Sequence, residues 1–154
     1  MSVLKKRQES IKKFAEDSPC LCFNIRKASR IITQYYDEML KSLGLTATQA
    51  SVLGCLRKIG PMMVSELSEA MATDRTTLTR NLKPLERDGL ICTQVGQDRR
   101  SRAITLTEKG EAVSIKSFET FSGFQKKLYA TLGKEKVEKL CKDLCGALEE
   151  IQKF

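Results

Sequence analysis

Three arginines crowd into five residues at Asp98-Arg99-Arg100-Ser101-Arg102, directly before the alternating run Ala103-Ile104-Thr105-Leu106-Thr107. Guanidinium groups this close together repel one another and bury little surface, whereas each can make paired hydrogen bonds to phosphate oxygens. The chemistry that suits such a cluster is contact with a polyanion, nucleic acid above all; a merely solvated loop is the alternative. A second cationic set lies upstream, in Arg75, Thr76, Thr77, Thr79, Arg80 and Lys83. At about 100° per residue, Thr76, Arg80, Lys83 and Arg87 fall in one narrow stripe, while Leu78, Leu82 and Leu85 fall on the opposite side. Arginine, threonine and asparagine in the first two turns of a helix can reach base edges and phosphates in a major groove. An amphipathic helix with a solvated basic face would show the same stripe.

The elements that must position these groups are marked in the flanking residues. Thr73 or Asp74 can cap the free N–H groups of a helix that Gly89 ends in a left-handed residue, with Pro84 expected to kink or loosen it. The arginine cluster sits at the tip of an expected β-hairpin, with arms Leu90–Val95 and Ala103–Leu106 and the turn Gly96-Gln97-Asp98. Val64–Met71 reads as a short helix, joined to the basic one by Ala72-Thr73-Asp74, which is the spacing of a helix-turn-helix; the hairpin makes it winged. Thr46 and Gln49 have capping-box spacing and open a helix carrying Val52, Leu53, Leu56 and Ile59, closed by Gly60-Pro61. Those four apolar residues are expected to form the third wall of the core.

The fold class that follows is mainly α with a small β-hairpin wing. A winged helix-turn-helix DNA-binding module (46–107) is framed by an N-terminal dimerisation helix (18–45) and C-terminal dimerisation helices (108–154), after a polar extension (1–17). Ser18-Pro19 is a good helix start, and Leu21, Ile25, Ala28, Ile32, Tyr35 and Met39 follow with heptad-like spacing. Phe118, Phe121, Phe124 and Leu128 mark one C-terminal helix. Val137, Leu140, Leu144, Leu148 and Ile151 mark another, beyond a break at Leu132-Gly133. These seams carry more apolar surface than the central module can cover, which predicts a homodimer; packing of the same helices within one chain is the alternative. Two basic helices related by a two-fold axis would read a pseudo-palindromic double-stranded DNA operator.

The chain has 154 residues and a net charge of +8, from 27 Lys and Arg against 19 Asp and Glu. Segment 75–102 carries seven cations and three anions, half of that excess in under a fifth of the length. The N-terminal Lys5-Lys6-Arg7 and Lys12-Lys13 read as a solvated or unstructured stretch. No apolar run follows them as in a secretory leader, and no segment is long enough to span a membrane, so a cytoplasmic location is expected. Six cysteines without an export signal predict reduced thiols rather than a disulfide framework. Cys55 and Cys92 read as small packing residues. Cys20 and Cys22 fall near the first turn of the first long helix, where backbone N–H groups and Arg26 favour an anion and Asp17 opposes it. Cys22 is therefore a redox-sensing candidate or a buried structural thiol. Cys141 and Cys145 lie one helical turn apart and share a face of the last helix. With no histidine, imidazole-based metal sensing is excluded, and no cofactor is implied. Two other functions stay open: a winged-helix module that binds an acidic protein, and a thiol peroxidase using Cys22.

The residues that carry a family resemblance are Leu43-Gly44-Leu45-Thr46, Gln49, Thr77-Leu78-Thr79-Arg80-Asn81-Leu82, Leu85-Glu86, Gly89-Leu90-Ile91, Asp98-Arg99-Arg100-Ser101-Arg102, Leu106-Thr107 and Gly110. Together they resemble the multiple-antibiotic-resistance regulator (MarR) family of bacterial transcription regulators, from about Cys20 onward. The resemblance implies a homodimeric winged helix-turn-helix protein, usually a repressor of efflux, stress or catabolic genes. Its recognition helix enters the major groove, and a wing arginine reaches the adjacent minor groove. Carried over, Thr76, Thr77, Thr79 and Arg80 are base-edge candidates and Arg100 is the minor-groove arginine. Arg99 and Arg102 then support or bind phosphate, and Asp98 orients a neighbouring arginine. Leu21-Cys22-Phe23 and Tyr36 are similar to the organic-hydroperoxide-sensing branch, where a cysteine at this position is the oxidised thiol and tyrosines are its partners. Only Tyr36 matches such a tyrosine; Arg26 and Ala47 occupy the other two positions. The family also implies a small-molecule effector pocket between the terminal helices and the DNA-binding module. Its dimer places the last helix near a first helix, so the resemblance leaves a four-thiolate zinc site or an inter-subunit disulfide open for Cys141 and Cys145 with Cys20 or Cys22 of a neighbour.

Overall fold

The computed structural model of the protein describes residues 3–95 and 102–153. The chain divides into two compact units, Met1–Glu38 and Met39–Phe154.

The first unit holds helix α1 (Val3–Asp17) and most of helix α2 (Leu21–Leu40). The polar extension is thus helical rather than unstructured, and Arg7 to Phe14 are exposed, so of the two expectations the solvated one holds. Nothing in 3–17 is glycine or proline, and the apolar Ile11 and Phe14 are spaced to share a face. The Phe14 ring meets the Phe23 ring edge-on, with centroids 5.5 Å apart, which holds the end of α1 against the start of α2. Ser18-Pro19 marks the corner, yet α2 begins two residues later than the proline rule predicts. The Phe23 N–H donates to Cys20 Sγ at 3.5 Å, and the Asn24 amide donates to Ser18 O at 2.8 Å and Cys20 O at 3.1 Å. Cys20 Sγ, beyond the proline, accepts one of the free N–H groups of this helix end, and the proline stays in the connection. The α2 seam is open in the single chain, with Leu21 55%, Ile32 43% and Tyr35 60% exposed.

The second unit opens with a single 3₁₀ turn (Lys41–Leu43), which Gly44 closes at φ +68°. Helix α3 (Ala47–Ile59) starts with the expected reciprocal cap: Gln49 N–H donates to Thr46 Oγ1 at 3.3 Å, and Thr46 N–H donates to Gln49 Oε1 at 2.9 Å. Val52, Leu53 and Leu56 are buried as predicted, but Ile59 is 62% exposed and forms no part of the core wall. It is the last residue of α3, just before the chain leaves at Gly60 for strand β1 (Met62–Met63).

Helix α4 (Val64–Ala70) and helix α5 (Arg75–Arg87) follow, joined by a turn in which Ala72 takes a left-handed conformation at φ +47°. The turn is held by Thr73 N–H on Ser68 O and Ala72 N–H on Glu69 O, each at 3.0 Å. Pro84 does not divide α5, which stays one helix. Strands β2 (Ile91–Val95) and β3 (Arg102–Leu106) pair antiparallel with Ile91 opposite Leu106 and Val95 opposite Arg102. The expected two-stranded wing is in fact three-stranded, in the order β1-β3-β2, because Met62 pairs with Ile104 and Met63 with Ala103. A two-residue strand has no periodicity of its own, and only its pairing partner reveals it.

Leu40, Val52, Leu53, Leu67, Leu78 and Leu85 are all 0–1% exposed and form the centre of this unit. Burying each stabilises by roughly 1.5–3 kcal/mol before entropy is counted. Helix α6 (Glu108–Leu132) packs on α3, and Gly133 at φ +85° separates it from helix α7 (Lys134–Ile151), at the predicted break. Val137 is buried, whereas Leu140, Leu148 and Ile151 are 44–58% exposed. No helix among the described residues is long and apolar enough to cross a membrane.

Candidate nucleic-acid interface

Helix α5 is the element that presents the predicted contact residues. Leu78, Leu82 and Leu85 are buried under it, which fixes its rotation and turns Arg75, Thr76, Thr79, Arg80 and Lys83 outward. These five line one open groove of about 420 Å³. Three cations on one face, without an acidic side chain among the described lining residues, make this groove attractive to phosphate.

The threonines divide by what their hydroxyls already do. Asp74 caps α5, accepting the Thr77 N–H at 2.8 Å through Oδ1 and the Thr77 hydroxyl at 2.7 Å through Oδ2. Thr79 donates its hydroxyl to Arg75 O at 2.7 Å. Both have given away their only O–H proton, so they meet a base edge as acceptors or through their methyl groups. Thr76 makes no side-chain hydrogen bond among the described residues and keeps its donor. Arg87, on the same stripe, is diverted: its guanidinium pairs with Asp88 at 2.9 Å. That contact raises the Arg87 pKa and holds the Asp88 carboxyl below the usual carboxylate range.

The Asp74 carboxyl is likewise held below the usual range, chiefly by the Thr77 N–H and then by the Thr77 hydroxyl. A carboxyl whose folded pKa is depressed stabilises the fold above its unfolded value, and that contribution is lost as pH falls through the folded value. Asp74→Ala is therefore expected to melt below the wild type at neutral pH, with the gap closing on acidification below the usual carboxylate range. Thermal melts across that range check this; a gap independent of pH would remove the charge from the cap.

Arg102 lies in β3, opposite Val95 of β2, so the strand pair that carries the wing is in place beside α5. Arg99, Arg100 and the predicted turn Gly96-Gln97-Asp98 lie outside the described residues. One contact that sequence reasoning missed links wing and helix: Thr93 Oγ1 donates to Glu86 Oε1 at 3.3 Å.

Cys20 and Cys22 are both exposed at the start of α2, which corrects the buried reading of Cys22 in the single chain. Tyr36 lies on the same helix, fourteen residues on and so about 21 Å along its axis at 1.5 Å per residue. Cys22 and Tyr36 of one chain therefore cannot touch, and any partnership between them runs from one copy to another. Cys141 and Cys145 are exposed on α7. Among the described residues, no three metal-ligating side chains converge. Cys55 is half-buried with its Sγ 3.7 Å from Met62 Sδ, in agreement with a packing role.

A cavity of about 300 Å³ opens between α3 and α6, lined in part by Ser51, Arg57, Lys58, Ser114, Phe118 and Phe121. The Arg57 guanidinium stands 5.2 Å from the Phe118 ring centroid. Ser114 Oγ is buried and has no hydrogen-bond partner among the described residues.

Comparison with known proteins agrees with this arrangement. Residues 45–101 match the family model described as MarR family. The HTH-type transcriptional regulator SarZ of Staphylococcus aureus is 34% identical over 110 residues, covering 66% of this chain and 74% of SarZ. An uncharacterised HTH-type regulator of Bacillus subtilis, YwoH, is 36% identical over 91 residues, 59% of this chain and 66% of YwoH. Among solved structures, the transcriptional regulator MosR of M. tuberculosis, crystallised with DNA, is 38% identical with a TM-score of 0.71, covering 86% of this chain and 98% of MosR. Reduced AbfR, also solved bound to DNA, is 29% identical with a TM-score of 0.68, covering 85% of this chain and 92% of AbfR. These relatives are transcriptional regulators, which speaks against the thiol peroxidase reading. By sequence and by fold, the chain belongs to the MarR family of winged helix-turn-helix transcription regulators.

Proposed function

We propose that this chain acts as a cytoplasmic homodimer that binds a pseudo-palindromic operator and represses the adjacent genes until a small ligand or thiol oxidation releases it. The observation that carries the reading is the α5 face, where Arg75, Arg80 and Lys83 stand with Thr76 and Thr79 over a leucine base that fixes their direction. MosR and AbfR, solved with DNA, support the same partner for this chain. The exposed seams of α2 and α7 support the dimer, since Leu21, Ile32, Tyr35, Leu140, Leu148 and Ile151 otherwise stand in water. In this reading Arg100 enters the minor groove from the wing tip, with Arg99 and Arg102 on phosphates.

Release has two candidate sites: the exposed thiols of Cys22 and Cys20, and the α3–α6 cavity with its Ser114 hydroxyl, unsatisfied among the described residues. One titration separates them. Reduced protein is titrated onto duplex from the gene's own upstream region over a range of salt, then again after one equivalent of organic hydroperoxide. Reduced protein is expected to bind with a steep fall of affinity with salt, by about 0.9 in log K per log salt for each phosphate neutralised. Affinity that ignores salt overturns the DNA-binding reading and favours an acidic protein partner. Loss of binding on oxidation, absent in Cys22→Ser, assigns release to that thiol. Retention of binding assigns release to the cavity.

A further inference from the structure

Helix α5 ends in a Schellman turn: Leu90 N–H donates to Leu85 O at 2.8 Å and Gly89 N–H to Glu86 O at 3.0 Å. This turn leaves three consecutive carbonyls, those of Asp88, Gly89 and Leu90, beyond the helix. The start of α6 takes all three. Lys109 Nζ donates to Asp88 O at 2.7 Å, Thr107 Oγ1 donates to Gly89 O at 2.7 Å, and Thr107 N–H donates to Leu90 O at 3.1 Å. The Thr107 hydroxyl also accepts the Gly110 N–H at 3.0 Å, so one oxygen caps α6 and grips the end of α5. Gly110 completes the contact, because its missing side chain lets α6 lie directly on the Leu90 carbonyl.

From this geometry we infer that Thr107 and Lys109 are positioning residues for operator recognition. They hold the C-terminal end of α5 and thereby set how Arg80 and Lys83 meet the duplex, without touching it themselves. The inference rests on the DNA-binding reading above. Three hydrogen bonds to adjacent carbonyls leave α5 no freedom to tilt independently of α6. Helix α6 continues for 25 residues and passes the cavity at Ser114 and Phe118, so a displacement of α6 there is delivered to the recognition helix. Specific recognition needs bond-length precision at base edges, whereas non-specific attraction to phosphate tolerates a tilted helix.

The competing role for Lys109, an exposed cation, is a direct phosphate contact, and salt dependence tells the two apart. The full-length wild type, Lys109→Met and Thr107→Ser are titrated onto the upstream duplex and onto an unrelated duplex of equal length, over a range of salt. Lys109→Met is expected to lose roughly 3- to 10-fold on the upstream duplex, as for one hydrogen bond. Its salt slope and its affinity for the unrelated duplex should stay at the wild-type values. Thr107→Ser keeps the hydroxyl and should bind as the wild type does. A Lys109→Met slope shallower by about one per contact, with equal losses on both duplexes, makes Lys109 a phosphate ligand and overturns the inference. Unchanged binding by Lys109→Met overturns it as well. A wild type with no salt slope defeats the DNA-binding reading itself, which keeps the two failures distinct. Since Thr107→Val would also uncap α6, Lys109→Met and Thr107→Ser carry the test.

Discussion

Arg80→Ala is expected to weaken operator binding by about 1–3 kcal/mol for each recognition helix, and by about twice that for a dimer with both helices engaged. Arg80 projects from the middle of the exposed α5 face, between the buried Leu78 and Leu82 on the other side, so truncation removes a contact without opening the core. It makes no ion pair among the described residues. Arg87→Ala is the internal comparison. That guanidinium is already engaged by Asp88 at 2.9 Å, so its loss should cost less affinity. Fluorescence anisotropy with labelled upstream duplex, at fixed salt, reads both variants, and thermal melts confirm that each is folded. Equal affinity of Arg80→Ala and the wild type would remove α5 from the binding face.

Gly110→Ala is expected to destabilise the protein by about 1–3 kcal/mol or more, the usual cost of forcing atoms into a filled site. Helix propensity alone argues the reverse, since alanine is better than glycine inside a helix by about 1 kcal/mol. Sterics win because a Cβ at Gly110 would overlap the carbonyl oxygen and carbon of Leu90, which are backbone atoms. Leu90 cannot move aside cheaply: it is 5% exposed, its N–H is bonded to Leu85 O, and its oxygen accepts the Thr107 N–H. Gly123→Ala supplies the control. It lies in the same helix with open space around its Cβ position, so it should gain stability by up to about 1 kcal/mol. For a chain of this size each kcal/mol moves the melting midpoint by roughly 2–4 °C, well within the reach of calorimetry. A Gly110→Ala protein as stable as the wild type would mean that α6 does not lie on Leu90 as described.

The features read correctly from sequence are those in which cause and effect lie within one turn of a helix. The Thr46–Gln49 cap, the Asp74 cap, the left-handed Gly89 and the break at Gly133 each depend on residues no more than four apart. The α5 stripe is equally local, because helix geometry alone puts Leu78, Leu82 and Leu85 opposite Arg80 and Lys83. The direction of the contact face was therefore present in the order of the residues.

What the sequence left open involves partners far apart in the chain. Strand β1 exists because Met62 and Met63 meet Ile104 and Ala103, some forty residues away, and two residues carry no period. Ile59 has the spacing of a core residue, yet its exposure is decided by where the chain turns toward β1. The grip of Thr107 and Lys109 on the carbonyls of Asp88 and Gly89 spans 18 and 21 residues, and no local pattern announces it. The sequence by itself determined which residues face outward on each helix and that the outward face of α5 is cationic, because helical periodicity and charge are properties of neighbours. The tertiary structure alone decided how that face is held, since hydrogen bonds and close approaches between distant segments exist only after the chain has closed on itself.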